Sequence, residues 1–296
     1  MTENHQKSKD RELRRTLHLV PQDGEMIKPA ELIDIDGATG LTLHARRLYN
    51  QLIAYAFGPN MGTEGYEWTI SLAELRGSHN SNEHITESIL ALMKTVVTVR
   101  LADGRTRRVQ LLGGNDMGEA DRQHGTLTYS FDPKLVPLLR DSSVFGKLEL
   151  AVIHAFTTKY GLALYEALSR RVRLHNRFYE DFDLDALREL LGVPPGKLTT
   201  FSNLKLRAIT PAVDEINAIA SFGCKIVPNR QGRKVISVRI YWWLKDLDGL
   251  KEAYAELQRP RVGRRSRVTN SVEQVLDEPS LFDQPDPDRA LNHPLP

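Results

Sequence analysis

One order of secondary-structure patterns occurs twice in this chain of 296 residues, and it restricts the possible folds more than any other feature. The first occurrence begins with an amphipathic helical pattern at 41–57 and ends with a hairpin pattern at 95–112. The second begins at 157–174 and ends with a hairpin pattern at 224–243. Between helix and hairpin, each occurrence contains a short strand, a short helix, a turn and a further helix.

This order is that of a winged-helix domain, so we predict an α+β protein with two tandem winged-helix domains. We place the domains at 28–145 and 146–247, a division that suits a chain of this length. Residues 1–27 are polar and aperiodic, which predicts a flexible tail. Residues 248–296 are basic and then rich in proline, which predicts a disordered tail.

Composition excludes several classes of protein. The longest apolar runs are far shorter than the roughly 18–20 residues that a membrane span requires. The charged N-terminus lacks the apolar segment of a secretory signal, and a single cysteine, Cys224, cannot form an internal disulfide. We therefore expect a cytoplasmic protein without a membrane partner, and a buried strand thiol. Because the net charge is only +2, any DNA binding must come from local basic patches.

The third helix of the second unit, at 199–217, carries an apolar line and a polar line. With about 100° between successive residues, the apolar line forms one face that we expect to be buried. That face consists of Leu206, Ile209, Val213, Ile216 and Ala220. Pro211 removes a backbone donor and predicts a bend in the middle of the helix.

The opposite line presents side chains that can contact base edges in a DNA major groove. Asn203, Arg207 and Thr210 follow one another at i, i+4 and i+7. Arginine can bridge two acceptors on guanine, asparagine can pair with adenine, and the threonine methyl can touch thymine. Further polar residues at the start of the helix can cap it or contact phosphate. These are Lys197, Thr199, Thr200, Ser202 and Lys205. A solvated surface helix is the alternative interpretation.

The hairpin after this helix predicts a basic wing. Arg230, Arg233 and Lys234 surround a glycine turn, from which they could reach phosphates. Strand alternation predicts that the following residues of the return strand point inward. They are Ile236, Val238, Ile240 and Trp242. A basic hairpin directly after a groove-compatible helix favours DNA binding over a merely solvated face.

The third helix of the first unit is chemically different. Its buried residues are expected to be Ile85, Ile89, Leu92 and Val96. Its outer side offers Glu83, His84 and Glu87, and carboxylates repel phosphates. Base reading by this helix is therefore not expected, and weaker backbone contacts or an interface with another protein are the alternatives. The candidates for backbone contacts are Asn80, Asn82, Arg105, Arg107 and Arg108.

Several phrases together resemble the iteron-binding plasmid replication initiators of the Rep_3 family. They include KPAELIDIDGATGLTLHARRLYNQLI, LTYSFDPKLVPLL, FTTKYGLALYEALSRR, DLDALRELLGV, FSNLKLRAITPAVDEIN and GRKVISVRI, and they span roughly residues 28–243. The resemblance implies a protein that binds direct repeats at a plasmid origin, helps to open adjacent DNA, and recruits the host initiator ATPase and replicative helicase. It also implies that monomers bind repeats while a homodimer represses the protein's own gene.

The DNA-reading helix of this family falls on 200–210, where the chain departs from the family pattern in having only Lys205 and Arg207 as basic residues. The resemblance thus agrees with the polar line derived from helical spacing.

No catalytic, cofactor or metal site is predicted. The phrase GVPPGKL at 192–198 has three residues between its glycines and a leucine after the lysine, which does not match a phosphate loop. His79 and His84 are better explained as solvated or capping residues than as metal ligands. Two other functions stay open: a winged-helix transcriptional repressor that binds an inverted operator, and an origin-nicking endonuclease.

The predicted C-terminal tail holds two further candidates. The basic run at 259–267 is either solvated or an auxiliary phosphate-binding arm. Its arginines are Arg259, Arg261, Arg264, Arg265 and Arg267. The phrase EPSLFD at 278–283 resembles the short peptide by which bacterial replication proteins bind the sliding clamp, and would act through Leu281 and Phe282. A chance match in a disordered tail is the alternative.

Overall fold

The computed structural model describes residues 15–76, 83–101, 103–118, 125–174 and 176–268. The first unit contains α1 (Ala30–Ile33), α2 (Leu43–Ala56), α3 (Leu72–Arg76), α4 (Glu83–Lys94), α5 (Val136–Asp141) and α6 (Leu150–Ala155). Its strands are β1 (Glu25–Pro29), β2 (Trp68–Ser71), β3 (Val96–Arg100), β4 (Thr106–Gln110), β5 (Gly114–Met117), β6 (Thr126–Ser130) and β7 (Phe145–Glu149).

The second unit repeats the order of elements. Its helices are α7 (Lys159–Arg171), α8 (Leu184–Leu191), α9 (Phe201–Leu204), α10 (Thr210–Ile219), α11 (Leu247–Gln258) and α12 (Arg264–Val268). Its strands are β8 (Tyr179–Asp183), β9 (Phe222–Gln231) and β10 (Lys234–Leu244). The predicted succession of helix, strand, helix, helix and hairpin is therefore confirmed in both units.

The two units differ in their sheets. In the second unit β8 pairs with β10, so that the short strand and the hairpin form one antiparallel sheet of order β8-β10-β9. In the first unit β2 pairs instead with β6, in a sheet of order β2-β6-β5, and the hairpin β3-β4 forms a separate sheet. Strands β1 and β7 form a further antiparallel pair. The wing of the second unit is thus continuous with the sheet that supports it.

Helix α7 joins the cores of the two units. It begins at Thr158, whose side chain accepts a hydrogen bond from the Gly161 amide. Leu162, Leu164 and Leu168 are buried although they lie on different sides of the helix, because α7 contacts α2 and β7 as well as α8 and α10. A helix that is apolar on nearly all sides is one that lies inside a core.

A buried polar cluster connects the same elements. The Nζ atom of Lys28 lies 3.1 Å from Oε1 of Glu166, and the amide of Asn50 donates to that oxygen at 2.6 Å. Lys28 also donates to the Asn50 side-chain oxygen at 2.9 Å. Burial lowers the pKa of Lys28, and Glu166 acts in the opposite direction. The cluster therefore ties β1 and α2 of the first unit to α7.

Part of each predicted tail is folded. Residues 16–27 are ordered, because Met26 and Ile27 of β1 are buried and β1 pairs with β7, more than a hundred residues further along the chain. Beyond 247 the chain forms α11 and α12, where the prediction was a disordered tail. Asp246 caps α11 by accepting from the Gly249 amide, and Ala253 is buried.

Val96 is exposed, so its predicted burial is wrong. Helix α4 ends at Lys94, and Val96 belongs to β3, where alternation turns Val97 and Val99 inward instead. Ile85, Ile89 and Leu92 are buried as predicted. None of the helices in the described part of the chain is long and apolar enough to cross a membrane.

Candidate nucleic-acid interface

The third helix of the second unit runs from α9 to α10 through a π-helical turn at Lys205–Ile209, and we call it helix 201–219. A π turn takes in one more residue than an α-helical turn. At 100° per residue, an uninterrupted α-helix would place Lys205 within about 20° of Ile216, on the buried face. The extra residue turns Leu204 inward and leaves Lys205 exposed. The π turn therefore keeps a lysine out of the core.

The same turn explains why Leu206 is not in the core. We expected its side chain to be buried, but it is 60% exposed. The residues that are fully buried on the inner face are Leu204, Ala208, Ile209, Ala212, Ile216, Ile219 and Ala220. The π turn ends two residues before Pro211, which has no N–H for the usual helical bond to the Arg207 carbonyl. The structure therefore shows a change of helical phase just before Pro211, and the bend at Pro211 stays a prediction.

The predicted polar line lies on the outside of the helix. Asn203 and Arg207 are exposed, and Thr210 is partly exposed. Lys197, Thr199, Ser202 and Lys205 are also exposed at the start of the helix. Thr200 is the N-cap, since its side chain accepts from the Asn203 amide. Apart from the capping side chain of Thr200, these side chains face solvent, where a ligand as large as a DNA duplex can contact them.

Arg188 holds the loop that leads into this helix, and sequence reasoning missed it. Its guanidinium donates to the carbonyl of Thr199 at 2.8 Å and to that of Leu198 at 3.4 Å. Its other nitrogen pairs with Asp185 at 2.8 Å. Helix α8 ends at Leu191, and Gly192 after it has a φ of +70° that favours glycine; a Cβ added at Gly192 would lie 2.6 Å from the Arg46 guanidinium. No local pattern distinguishes Arg188 from any other polar residue on an amphipathic helix.

Glu215 fixes the other half of the helix. Although it is a carboxylate, it is only 8% exposed. Its Oε1 atom accepts from the amide and the hydroxyl of Thr157, both at 2.5 Å. Its Oε2 atom accepts from the hydroxyl of Thr158 at 2.7 Å and from its amide at 3.3 Å. Glu215 thus joins helix 201–219 to the first turn of α7.

The wing is basic and exposed as predicted. Arg230, Arg233 and Lys234 are exposed around Gly232, which has a φ of +60° that favours glycine. The inward position of Ile236 is wrong, since this side chain is 46% exposed while Val235 is buried. The register of β10 against β9 shifts between Val235 and Ser237, and the bulge reverses the alternation there.

Six cations of the second unit share one property: none forms an ion pair with another described residue, whereas Arg188 and Arg239 in the same unit do. The six are Lys197, Lys205, Arg207, Arg230, Arg233 and Lys234. Arg230 donates only to the Arg233 carbonyl, at 3.4 Å. Their charges are therefore not neutralised within the described chain.

The first unit presents a weaker basic surface. Arg105 pairs with Asp103 at 2.6 Å, and Arg107 donates to the carbonyl of Lys134 at 2.8 Å. Arg108 is exposed. Asn80 and Asn82 lie outside the described residues, as do Leu281 and Phe282. The first unit has therefore less uncompensated charge in its wing than the second.

The described residues hold no group of three or more histidine, cysteine or acidic side chains that could bind a metal. Cys224 is buried in β9, and burial raises the pKa of its thiol to about 12. The side-chain oxygen of Asn217 accepts from the Cys224 amide at 2.8 Å, and this bond attaches β9 to helix 201–219. The position of Cys224 is accordingly that of a core residue of β9.

The fold and this exposed face together define a DNA-binding protein with two winged-helix domains. Residues 25–169 match the family described as "Initiator Replication protein, WH1", and residues 183–242 match "Initiator Rep protein, WH2". The two matches cover more than half of the chain, which therefore belongs to the Rep_3 family of replication initiators. The first match continues past our predicted domain boundary at 145, and that boundary stays a prediction.

A solved structure, "Crystal structure of Pi initiator protein in complex with iteron DNA", has the same fold. It aligns with a TM-score of 0.56 and 19% sequence identity, over 77% of this chain and 100% of that chain. A comparison with curated proteins gives no significant match.

Proposed function

We propose that this protein initiates plasmid replication by binding direct repeats, or iterons, at an origin through helix 201–219 and the wing. The observation that carries the proposal is the outward-facing line of Asn203, Arg207 and Thr210, flanked by five further cations which, like Arg207, have no ion-pair partner in the described chain. The family supports it, and so does the fold shared with an initiator whose structure contains iteron DNA.

In this proposal the N-terminal half of the helix enters the major groove. Asn203 and Arg207 contact base edges, where each good bidentate contact is worth about 1–3 kcal/mol of discrimination. Lys197, Lys205 and the wing contact phosphates and position the protein without reading sequence. Arg188 and Glu215 touch no DNA but hold the two halves of the helix in place.

Origin opening in this proposal draws on binding free energy and supercoiling, and not on nucleotide hydrolysis by this chain. We propose a non-enzymatic, cytoplasmic protein that recruits the host initiator ATPase and replicative helicase. A monomer binds each repeat, and a homodimer represses the protein's own gene. The first unit contributes dimerisation and auxiliary backbone contacts, including Arg108. Clamp binding through Leu281 and Phe282 belongs to the same proposal.

Footprinting of the DNA that flanks the gene tests the central claim. We expect protection of several direct repeats, and the Arg207→Ala variant should lose its preference for them while keeping its affinity for random DNA. Protection of a single inverted repeat alone would instead identify a transcriptional repressor. Nicking of supercoiled plasmid by the protein with Mg²⁺ would identify an endonuclease and refute the non-enzymatic mechanism.

A further inference from the structure

The segment 259–268 folds back from α11 onto helix 201–219, and we call it the arm. Its anchor is Arg264, which is only 3% exposed. Arg264 donates to the carbonyl of Ala155 at 2.6 Å and to Glu256 at 3.3 Å. Arg267 donates to the same carboxylate at 2.8 Å and to the Pro260 carbonyl at 2.7 Å. The arm is therefore attached by specific side-chain contacts.

Glu256 pairs with three arginines of the arm, since Arg259 lies 3.5 Å from its Oε2 atom in addition to the contacts with Arg264 and Arg267. Burial acts to raise the pKa of its carboxyl, but the hydrogen bonds and charges of Arg267 and Arg264 outweigh burial, so that the pKa is lowered. Glu256 is thus charged at neutral pH, and three arginines of the arm, Arg259, Arg264 and Arg267, pair with it. The remaining arginines next to the helix, Arg261 and Arg265, are exposed.

A cleft of about 670 Å³ separates the arm from helix 201–219. Four arginines line it: Arg207, Arg261, Arg264 and Arg265. Two carboxylates also line it, Asp214 and Glu215. Four positive charges against two negative charges leave an excess of two positive charges. The cleft is therefore suited to an anion.

This excess already counts both carboxylates as charged. Glu215 is occupied by the amides and hydroxyls of Thr157 and Thr158. Burial raises the pKa of Asp214, although Arg265 acts in the opposite direction. In addition, the Nη2 atom of Arg264 is buried and has no hydrogen-bond acceptor among the described residues. A donor of this kind next to an arginine-lined cleft indicates an anionic ligand.

The position of the cleft identifies which anion it would take. Arg207, on the outer face of helix 201–219, forms part of its wall. A helix in a major groove about 12 Å wide has a phosphate backbone directly on either side. The arm contacts α10, beside the half of the helix that follows Arg207. With helix 201–219 in a major groove as proposed, a backbone that borders the groove would pass the mouth of the cleft.

We propose that the arm is a second phosphate-binding element, in which Arg261 and Arg265 contact adjacent backbone phosphates of the strand beside helix 201–219. This inference rests on the proposed entry of that helix into the major groove. The contacts are independent of sequence, so the arm adds affinity for all duplexes and leaves the preference for repeats unchanged.

The test is the salt dependence of DNA binding by the full-length chain. Fluorescence anisotropy with a random 30-base-pair duplex, and with the footprinted repeat, is recorded between about 50 and 200 mM KCl. Each phosphate contact contributes about 0.9 to the slope of log K against log salt, so Arg261→Ala with Arg265→Ala should lower the slope by about 1.8. The affinity of the double variant should consequently fall about 12-fold less than that of the wild type over this fourfold salt range.

Arg259→Ala is the matched control, because Arg259 belongs to the same arm but lies outside the cleft beside helix 201–219. It should keep the slope of the wild type, and Arg265→Lys should keep it as well. An unchanged slope in the double variant, or an equal loss in Arg259→Ala, would overturn the proposal. Failure of the wild type to prefer repeats over random DNA would refute the proposed function, and the slopes on random DNA would still report on the arm.

Discussion

Replacement of Glu215 by alanine should destabilise the protein through the loss of one defined set of contacts. The carboxylate accepts four hydrogen bonds from Thr157 and Thr158, and it is the link between helix 201–219 and the start of α7. The variant leaves these donors without their acceptor. The affected feature is the attachment of the helix that we propose enters the DNA groove.

The loss of unfolding free energy depends on which of the four donors finds no other acceptor in the variant. Hydrogen bonds to a charged group contribute about 1.5–3 kcal/mol each, so four would give roughly 6–12 kcal/mol as an upper bound. The two hydroxyls can rotate to water in the adjoining cleft, and the 3.3 Å bond from the Thr158 amide is long. The short bond from the Thr157 amide then dominates. We expect a loss of about 2–3 kcal/mol in the free energy of unfolding.

Urea unfolding followed by circular dichroism at equilibrium measures this loss. With a slope near 3 kcal/mol per molar, the midpoint should fall by about 0.8 M urea. Glu215→Gln retains one acceptor oxygen and should lose about half as much. Asp214→Ala is the control on the same helix, and it should not lower the stability, because the Oδ2 atom of Asp214 is buried without a hydrogen-bond partner among the described residues. A loss below about 1 kcal/mol in Glu215→Ala, or an equal loss in Asp214→Ala, would refute the assignment.

Three further predictions concern single side chains. Arg207→Ala should cost about 1–3 kcal/mol of discrimination at one base position, which competition binding with single-base variants of the repeat would detect; uniform weakening would contradict base contact. Arg233→Ala should weaken binding to all duplexes and lower the salt slope by about 0.9, and an unchanged slope would argue against contact between the wing and phosphate. The pKa of buried Cys224 is raised to about 12, whereas an unfolded thiol ionises near 8.5. The native state therefore binds the extra proton, and this stabilising contribution is complete below pH about 8.5 and lost as pH rises through 12, so Cys224→Ala should reduce the alkaline decline of stability measured by urea unfolding.

The order of elements could be predicted because its signals are local. Turn residues and hydrophobic period define each helix and hairpin within a few neighbouring residues, and the same order occurs twice. The exposed line of Asn203, Arg207 and Thr210 follows from the same period. Features that depend on adjacent residues could therefore be predicted from the sequence.

The errors arise where one residue changes the phase of a pattern. The π turn at Lys205–Ile209 replaces an ideal helix and moves Leu206 outward. The bulge before Ser237 has the same effect on Ile236. Each inserts one position into a regular repeat, and neither leaves a mark in hydrophobicity.

Long-range partners account for the rest. Arg264 is buried because an acceptor, the carbonyl of Ala155, lies 109 residues earlier in the chain. Glu215 is buried because its partners lie 58 and 57 residues earlier, at Thr157 and Thr158. A charged residue is predicted to be solvated unless its partner is known. The arm was therefore predicted to be part of a disordered tail.

Helix α7 limits how the specificity of this protein can be re-engineered. Its sides face both units, and Glu166 on it holds Lys28 of β1 inside the protein. Transfer of the second unit to another protein would remove α7 from the core of the first unit. It would also leave the buried carboxylate of Glu166 without its partner Lys28. Chimeras with relatives should therefore exchange the short segment 197–210 and leave the scaffold whole.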